Sequence, residues 1–297
     1  MGVMQIVVRL LSGLGNQLFQ YAAGRHLAKK FGASLRIVHE VTHDQGTGGV
    51  LRPVMLQKFA ITAPVGPLNR FDRLVLSGNP RHALASRLLR KTARVQIIRE
   101  APDAFLFHHP FPIIKGTRVV YLIGYWQAHS VVASVEAELR EEFRLREQPG
   151  ESSRRMAEQI AAAPMPVSIH IRRGDYLTVF GEHAMLSSKY YEAAMARMRT
   201  QFPNCSFFIF TDDVAHAREW IADRPGCIIV DHNDAWTAHE DLWLMARCRH
   251  HIIANSTFSW WGAWLNPRTD KCVMAPSEWL GFRTAETHIA PPDWVLL

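Results

Sequence analysis

The sequence predicts an α/β protein made of two doubly wound units, each a parallel sheet covered by helices. Three observations lead there. Short apolar runs alternate with helix-length segments through the second half, the same alternation opens the first half, and a polar stretch, Gln148–Ser153, interrupts it between the two. Strands that are apolar on both faces and separated by helices are buried from both sides, as crossover connections require of parallel sheets.

In the first half, Gln5–Arg9 reads as a strand, Gly13-Leu14-Gly15 as a tight loop, and Gln17–Phe31 as a helix stopped by Gly32. Ser34–Val38 is the next strand. From about 40 to 95 the chain is rich in Arg, Gly and Pro and shows no period, after which Val95–Arg99 and Arg118–Ile123 read as strands and Val131–Phe143 as a helix. In the second half, Val167–Ile171 is a strand following Pro164 and Pro166. A helix starting at Ser187 or Ser188 runs from Tyr190 to about Met198 and stops before Pro203. Ser206–Thr211, Cys227–Val230, Ile252–Ala254 and Cys272–Ala275 are further strands; Val214–Ala222 and Thr257–Leu265 are helices, and another starts at Thr237. There Thr237-x-x-Glu240 has capping-box spacing, in which each side chain satisfies a free backbone N–H. Taking the polar stretch as a linker gives domains of residues 1–150 and 151–297. Two such units joined by a linker form a cleft, and ligands of open α/β sheets bind at the carboxyl ends of the strands.

At 297 residues, 48% hydrophobic and 21% charged, the chain has the make-up of a soluble globular protein of about two domains. The net charge of +7 calls for an anionic partner. No block of five or six like charges forms a nucleic-acid arm, which leaves a phosphate-bearing small molecule or an anionic membrane surface. The four cysteines, at 205, 227, 248 and 272, show no Cys-x-x-Cys spacing and sit in or beside apolar runs, as buried free thiols do. The opening residues lack the basic and apolar regions of a signal peptide, Ile6 does not fit a myristoylation signal, and no apolar stretch approaches the ~20 residues needed to span a bilayer. The expectation is a cytoplasmic enzyme whose basic surface touches the inner face of a membrane.

Four segments carry chemistry. Gly13-Leu14-Gly15-Asn16-Gln17 lies between a strand and a long helix, where glycines admit a ligand to backbone N–H groups at the positive end of the helix. It lacks the third glycine of a dinucleotide fingerprint and the Gly-Lys-Ser/Thr of a P-loop, and a plain strand-to-helix turn is the competing reading. His170-Ile171-Arg172-Arg173-Gly174-Asp175-Tyr176 follows a buried strand directly, so two guanidinium forks that match phosphate geometry stand at a strand's carboxyl end. The bland alternative is a surface Arg-Arg pair bridged to Asp175. Thr211-Asp212-Asp213 suggests a metal-bound donor, but adjacent acids at a helix start also cap it, and no His or third carboxylate stands at suitable spacing, so no metal is expected. Asn255-Ser256-Thr257-Phe258-Ser259-Trp260-Trp261-Gly262-Ala263-Trp264 joins a helix cap, with free N–H groups and hydroxyls suited to an anion, to three tryptophans. Core packing accounts for one or two of those rings at least; stacking on a sugar or base is the alternative. The pairs His108-His109 and His250-His251 are not metal ligands, because neighbours on a strand point to opposite faces.

Together, Gly13–Tyr21, His170–Tyr176, Phe210–Asp213 and the stretch from Asp241 to Leu265 resemble glycosyltransferase family 11, the bacterial and animal α-1,2-fucosyltransferases. The resemblance implies a GT-B-type fold of two Rossmann-like domains facing across a cleft, an acceptor-side N-terminal domain and a donor-binding C-terminal one. It implies GDP-L-fucose as donor, transferred with inversion and without a metal or other cofactor to the 2-hydroxyl of a terminal galactose. Carried over by position, Arg172 binds the β-phosphate, Asn16 reaches the reacting centre, and His170 and Asp241 lie near the guanine. Ser256, Thr257 and Phe258 complete the pyrophosphate cradle, with Gly13, Gly15, Gln17 and Arg173 on the donor as well. Asp175 is the first candidate for the base that takes the acceptor's proton, with Glu182 and His183 as alternatives. Rival readings are a fucosyltransferase of α-1,6 or protein O-linked type and a non-catalytic GDP-sugar- or glycan-binding protein; intact Arg172 and Asn16 argue against the second.

Overall fold

The apolar runs of both halves become strands of two parallel sheets. The structure is a computed structural model and describes residues 3–40, 52–101, 111–174 and 185–297. Described residues up to Arg144 form one unit and those from Leu145 onward form a second.

The first unit comprises β1 (Gln5–Arg9), α1 (Leu14–Phe31), β2 (Ser34–His39), β3 (Val65–Pro67), α2 (Arg70–Leu76), α3 (Ala83–Thr92), β4 (Val95–Arg99), β5 (Val119–Ile123), α4 (His129–Ala133) and α5 (Glu136–Glu142). Its sheet runs β3-β2-β1-β5-β4 with every pairing parallel, Ile6 lying opposite Leu35 on one side and Val120 on the other. Strand order reverses between β1 and β5. The carboxyl ends of these two strands are therefore where an open α/β sheet receives a ligand.

In the described part of the stretch that shows no period in sequence, residues 52–95, α2 is anchored by distant partners. Asp72 of α2 is fully buried and accepts both nitrogens of the Arg36 fork from β2, at 2.9 and 2.6 Å, and the Tyr121 hydroxyl from β5 at 2.5 Å. Burial alone would raise the Asp72 carboxyl, but those hydrogen bonds and the Arg36 charge hold it below the usual carboxylate range. Asn69 and Asp72 also form a capping box at the start of α2. The helix expected over 131–143 is two helices instead. Ser134 breaks it, its hydroxyl bonded back to the Val131 carbonyl at 2.6 Å and to His26 Nδ1 at 2.6 Å, which competes with the helical ladder.

The second unit comprises α6 (Glu151–Ala162), β6 (Met165–Ile171), α7 (Ser188–Gln201), β7 (Cys205–Thr211), α8 (Val214–Ile221), β8 (Cys227–Val230), α9 (Ala238–Met245), β9 (His250–Ile252), α10 (Thr257–Leu265), β10 (Val273–Ala275), the short hairpin β11 (Glu278–Trp279) and β12 (Phe282–Arg283), and β13 (Val295–Leu296). The sheet order is β13-β10-β9-β6-β7-β8, again parallel throughout, and it reverses between β6 and β9. Val167, Ile169 and Ile171 on one face of β6 pack with Tyr191, Ala194, Met195 and Met198 of α7 and with Phe207 and Ile209 of β7.

The polar stretch read as a linker is in part structured. Gly150 caps α6 and residues from Glu151 form its first turn; the Gly150 N–H is held by both carboxylate oxygens of Glu240 at 3.1 Å, and buried Ser153 bonds to His232 Nε2 at 2.9 Å. The expected capping box at Thr237 does not form. Glu240 is turned to Gly150, and the Thr237 hydroxyl accepts the Asp234 N–H at 2.8 Å instead. Among the described residues no helix is long and apolar enough to cross a membrane, and Cys205, Cys227, Cys248 and Cys272 are all free thiols.

Candidate active site

The carboxyl ends of β6 and β9 gather most of the residues singled out in the second half. His170 and Ile171 finish β6, and Arg172, Arg173 and Gly174 leave its end half-buried. Beyond β9, Ala254, Asn255 and Ser256 are buried and lead into α10, whose N-cap is Ser256. The Ser256 side chain makes no capping hydrogen bond. A helix that starts without a side-chain cap presents N–H groups and the positive end of its dipole to a ligand. The two strand ends meet: the rings of His170 and Phe258 stand 5.5 Å apart at 43°.

Arg172 is fixed from β7. Its Nη1 lies 2.9 Å from Asp212 Oδ2, while the other oxygen of Asp212 accepts the Arg173 N–H at 2.9 Å. Burial opposes the charge on Asp212, yet the Arg172 guanidinium and the N–H groups of Arg173 and Gly174 hold its carboxyl below the ordinary range. A side chain at Gly174 would crowd this pair: a Cβ would stand 2.8 Å from Asp212 Oδ2, so the carboxylate would have to move from Arg172. Asp213 accepts the His216 N–H at 3.0 Å, capping α8, and pairs with Arg173 Nε at 3.3 Å. Both acids of the Thr211-Asp212-Asp213 motif are thus engaged by the arginine motif and a helix start. Asp212 is the residue whose role the sequence reading missed; Arg172 lies 40 positions upstream, and only the β6–β7 pairing brings them together.

His170 is 4% exposed, and its Nδ1 has no hydrogen-bond partner. Burial, then the Arg172 charge, carries the imidazole down to about 3 against a smaller pull from Asp212, so it is neutral at physiological pH. A buried, neutral, unpaired ring nitrogen at a strand end is a group available to a ligand. Asp241, on α9, accepts Asn233 Nδ2 at 2.7 Å, yet burial and the nearby Glu240 push its carboxyl up to about 7. Asp175, Tyr176, Glu182 and His183 lie outside the described residues, as do His108 and His109.

In the first unit, Gly13 caps α1, and Gly15, Asn16 and Gln17 fall in its first turn, at the β1/β5 reversal. Asn16 Oδ1 accepts the amide of Gln127, from the loop after β5, at 2.8 Å. Gln17 is 1% exposed and its amide holds the loop itself: it donates to the Ser12 and Pro53 carbonyls at 3.0 and 2.9 Å and accepts the Met55 N–H at 3.0 Å. Gln17 thus shapes the loop from within.

The tryptophans of α10 are core. Trp260, Trp261 and Trp264 are all buried, Trp260 and Trp261 edge to face at 4.8 Å, and Trp260 Nε1 donates to the Ile289 carbonyl at 2.7 Å. His250 stacks on Phe202 at 3.9 Å, whereas His251 bonds to Ser168 and Asn266, each at 2.8 Å; the two rings point to opposite faces, as the strand register requires.

The chain matches the model of glycosyl transferase family 11 over residues 110–297. It is 28% identical over 287 residues to an α-1,2-colitosyltransferase of Escherichia coli, covering 92% of each chain. It is 30% identical over 103 residues to the galactoside 2-α-L-fucosyltransferase Sec1 of Mus musculus, covering 33% of this chain and 28% of that one. Among solved structures, the α-1,6-fucosyltransferase NodZ from Bradyrhizobium superposes with a TM-score of 0.51 at 15% identity, covering 90% of this chain and 94% of that one. That likeness speaks for the fold alone.

Proposed function

The chain belongs to glycosyl transferase family 11 and is a glycosyltransferase with two Rossmann-like domains of the GT-B type, and from that premise we propose that it transfers L-fucose from GDP-L-fucose, with inversion, to the 2-hydroxyl of a terminal galactose. The observation that carries the proposal is the Asp212-anchored Arg172 at the β6/β9 reversal, beside the uncapped start of α10. Cleaving a sugar–phosphate bond gathers negative charge on the departing diphosphate. A fixed cation and helix N–H groups, already oriented before reaction, stabilise that charge most in the transition state. In this reading Arg172 takes the β-phosphate, Arg173 lies alongside, and Ser256, Thr257 and Phe258 cradle the pyrophosphate. The unpaired His170 nitrogen and the Asp241 carboxyl recognise the guanine, where an ionised Asp241 accepts from its N–H edge. No metal is assigned a part.

The first unit serves the acceptor, with Asn16 at the reacting centre, while Gly13 and Gly15 at the start of α1 contact the donor. A base that takes the galactose hydroxyl's proton completes inversion; Asp175 remains its first candidate. The net charge of +7 supports a peripheral contact with an anionic membrane.

The name of the colitosyl relative makes the donor sugar the open alternative. The deciding experiment incubates the protein with GDP-fucose or GDP-colitose and a panel of galactose-terminated acceptors, and reads product linkage by NMR. An α-1,2-fucosyl-galactose product is expected. Exclusive use of the colitosyl donor, or an α-1,6 linkage, overturns the substrate assignment while leaving the phosphate site in place.

A further inference from the structure

We infer that Glu100 is a positioning residue for Asn16, acting through the loop that follows β5. The inference rests on the reading of Asn16 given above, and it joins three segments far apart in sequence: Asn16, Glu100 and Tyr125–Gln127. Glu100 follows β4, and its own N–H donates to the Ile123 carbonyl at 3.0 Å, extending the β4–β5 ladder by one residue. From there its carboxylate reaches over the end of β5: Oε2 accepts the Tyr125 N–H at 2.5 Å and Oε1 the Trp126 N–H at 3.0 Å. Two adjacent N–H groups held by one carboxylate fix the loop's backbone as a bidentate clamp.

The backbone between them bears the marks of that clamp. Gly124 tolerates no side chain, since a Cβ would stand 2.4 Å from the Glu100 Cβ and 2.8 Å from Oε2. Trp126 is held at φ 56, a left-handed conformation that a bulky residue keeps only when its surroundings impose it. Its indole Nε1 is buried without a hydrogen-bond partner, as is Gln127 Oε1. Side-chain hydrogen bonds from Trp126 therefore do not hold this turn, whereas the Glu100 carboxylate holds its backbone. The next residue, Gln127, is 4% exposed and points its Nε2 at Asn16 Oδ1, 2.8 Å away. Asn16 sits in the first turn of α1, so the chain from Glu100 to the Tyr125–Trp126 backbone to Gln127 sets the rotamer of the asparagine at the β1/β5 reversal.

The clamp is also costly. Burial raises the Glu100 carboxyl to about 7 despite the two N–H bonds. A half-buried acid placed against its own solvation preference fits a positioning task better than a stabilising one.

A double-mutant cycle on the full chain tests this, measuring kcat and donor KM for wild type, E100Q, N16A and the pair. Glutamine keeps one acceptor and turns an amide donor toward the other N–H. The expected result is a fall in kcat of about tenfold or more for E100Q with donor KM within about threefold, and no further loss when E100Q is added to N16A. Amide hydrogen exchange at Tyr125 and Trp126 should quicken in E100Q. Gln127→Leu removes the last link without touching the clamp and should match E100Q in the cycle while leaving those amides protected. Additive losses in both cycles overturn the link and leave Asn16's role standing. Near-wild-type turnover for N16A overturns both. Should E100Q fail to fold, Glu100→Asp, which keeps the carboxylate but shortens its reach to the Tyr125 and Trp126 N–H groups, takes its place in the cycle.

Discussion

Replacing Arg172 by lysine separates charge from geometry. The guanidinium has five N–H donors in a rigid fork, and one of its nitrogens stands 2.9 Å from Asp212, leaving the fork oriented by that anchor. Lysine keeps the charge in a single compact ammonium that cannot reproduce the planar, multi-donor geometry of the fork. The Arg172 and Asp212 side chains are 17% and 24% exposed, so the pair is largely shielded and solvent screening is weak. A charge-assisted hydrogen bond contributes ~1.5–3 kcal/mol. At ~1.4 kcal/mol per tenfold, losing one in the transition state lowers kcat/KM by roughly 10- to 150-fold; removing a preorganised donor to a developing anion costs about 10²–10³. The expected outcome is a loss near 10²-fold, mostly in kcat, with the melting temperature within about 3 °C of wild type because the ammonium still meets Asp212. The assay is GDP release from GDP-fucose with a galactose-terminated acceptor, alongside a thermal melt. Turnover within about threefold of wild type, with an unchanged melt, refutes a leaving-group role for Arg172. Asp212→Asn is the companion: it leaves the guanidinium in place but swaps a charged acceptor for a neutral one, and transfer should fall by about tenfold.

Three further outcomes are expected. Because burial lifts the Asp241 carboxyl to about 7, the free protein holds that proton at pH 6 and has lost most of it by pH 8. If guanine binds the ionised form, GDP affinity should weaken about tenfold from pH 8 to pH 6, beyond the drift shared by Asp241→Asn; identical calorimetric profiles for the two proteins would remove Asp241 from the base site. Transfer should persist in excess EDTA, since Asp212 and Asp213 are bound to Arg172, Arg173 and the His216 N–H; strict dependence on added Mn²⁺ or Mg²⁺ would instead make them ligands. Trp260→Ala should destabilise by ~3–5 kcal/mol, lowering the melting temperature by more than about 6 °C, whereas a raised acceptor KM with an unchanged melt would mean the ring stacks on sugar.

The α/β class and the placement of the arginine and Asn-Ser-Thr-Phe motifs at strand ends were legible because both depend on local patterns. Alternating apolar runs set strands and helices, and a motif written directly after a strand sits at that strand's carboxyl end whatever the rest of the chain does. Thr257–Leu265 is such a case, its bounds the same in sequence and structure. The misreadings share a cause as well. The capping box at Thr237 failed because Glu240 found a better partner in Gly150, 90 positions away, and the helix over 131–143 broke where Ser134 met His26 from α1. In the described part of the aperiodic stretch, α2 is tied to the sheet by Asp72, whose partners Arg36 and Tyr121 come from two strands. By itself the sequence determined which residue types suited to an anion stand at strand ends, because guanidinium forks, glycines and helix starts have that chemistry wherever they stand. Only the tertiary structure decided what holds them: Asp212 behind Arg172, Gln127 on Asn16, and Glu100 beneath the loop that presents Gln127. Those pairings are between strands and loops that meet only when the sheet is assembled, and no local period encodes a partner that arrives from another strand.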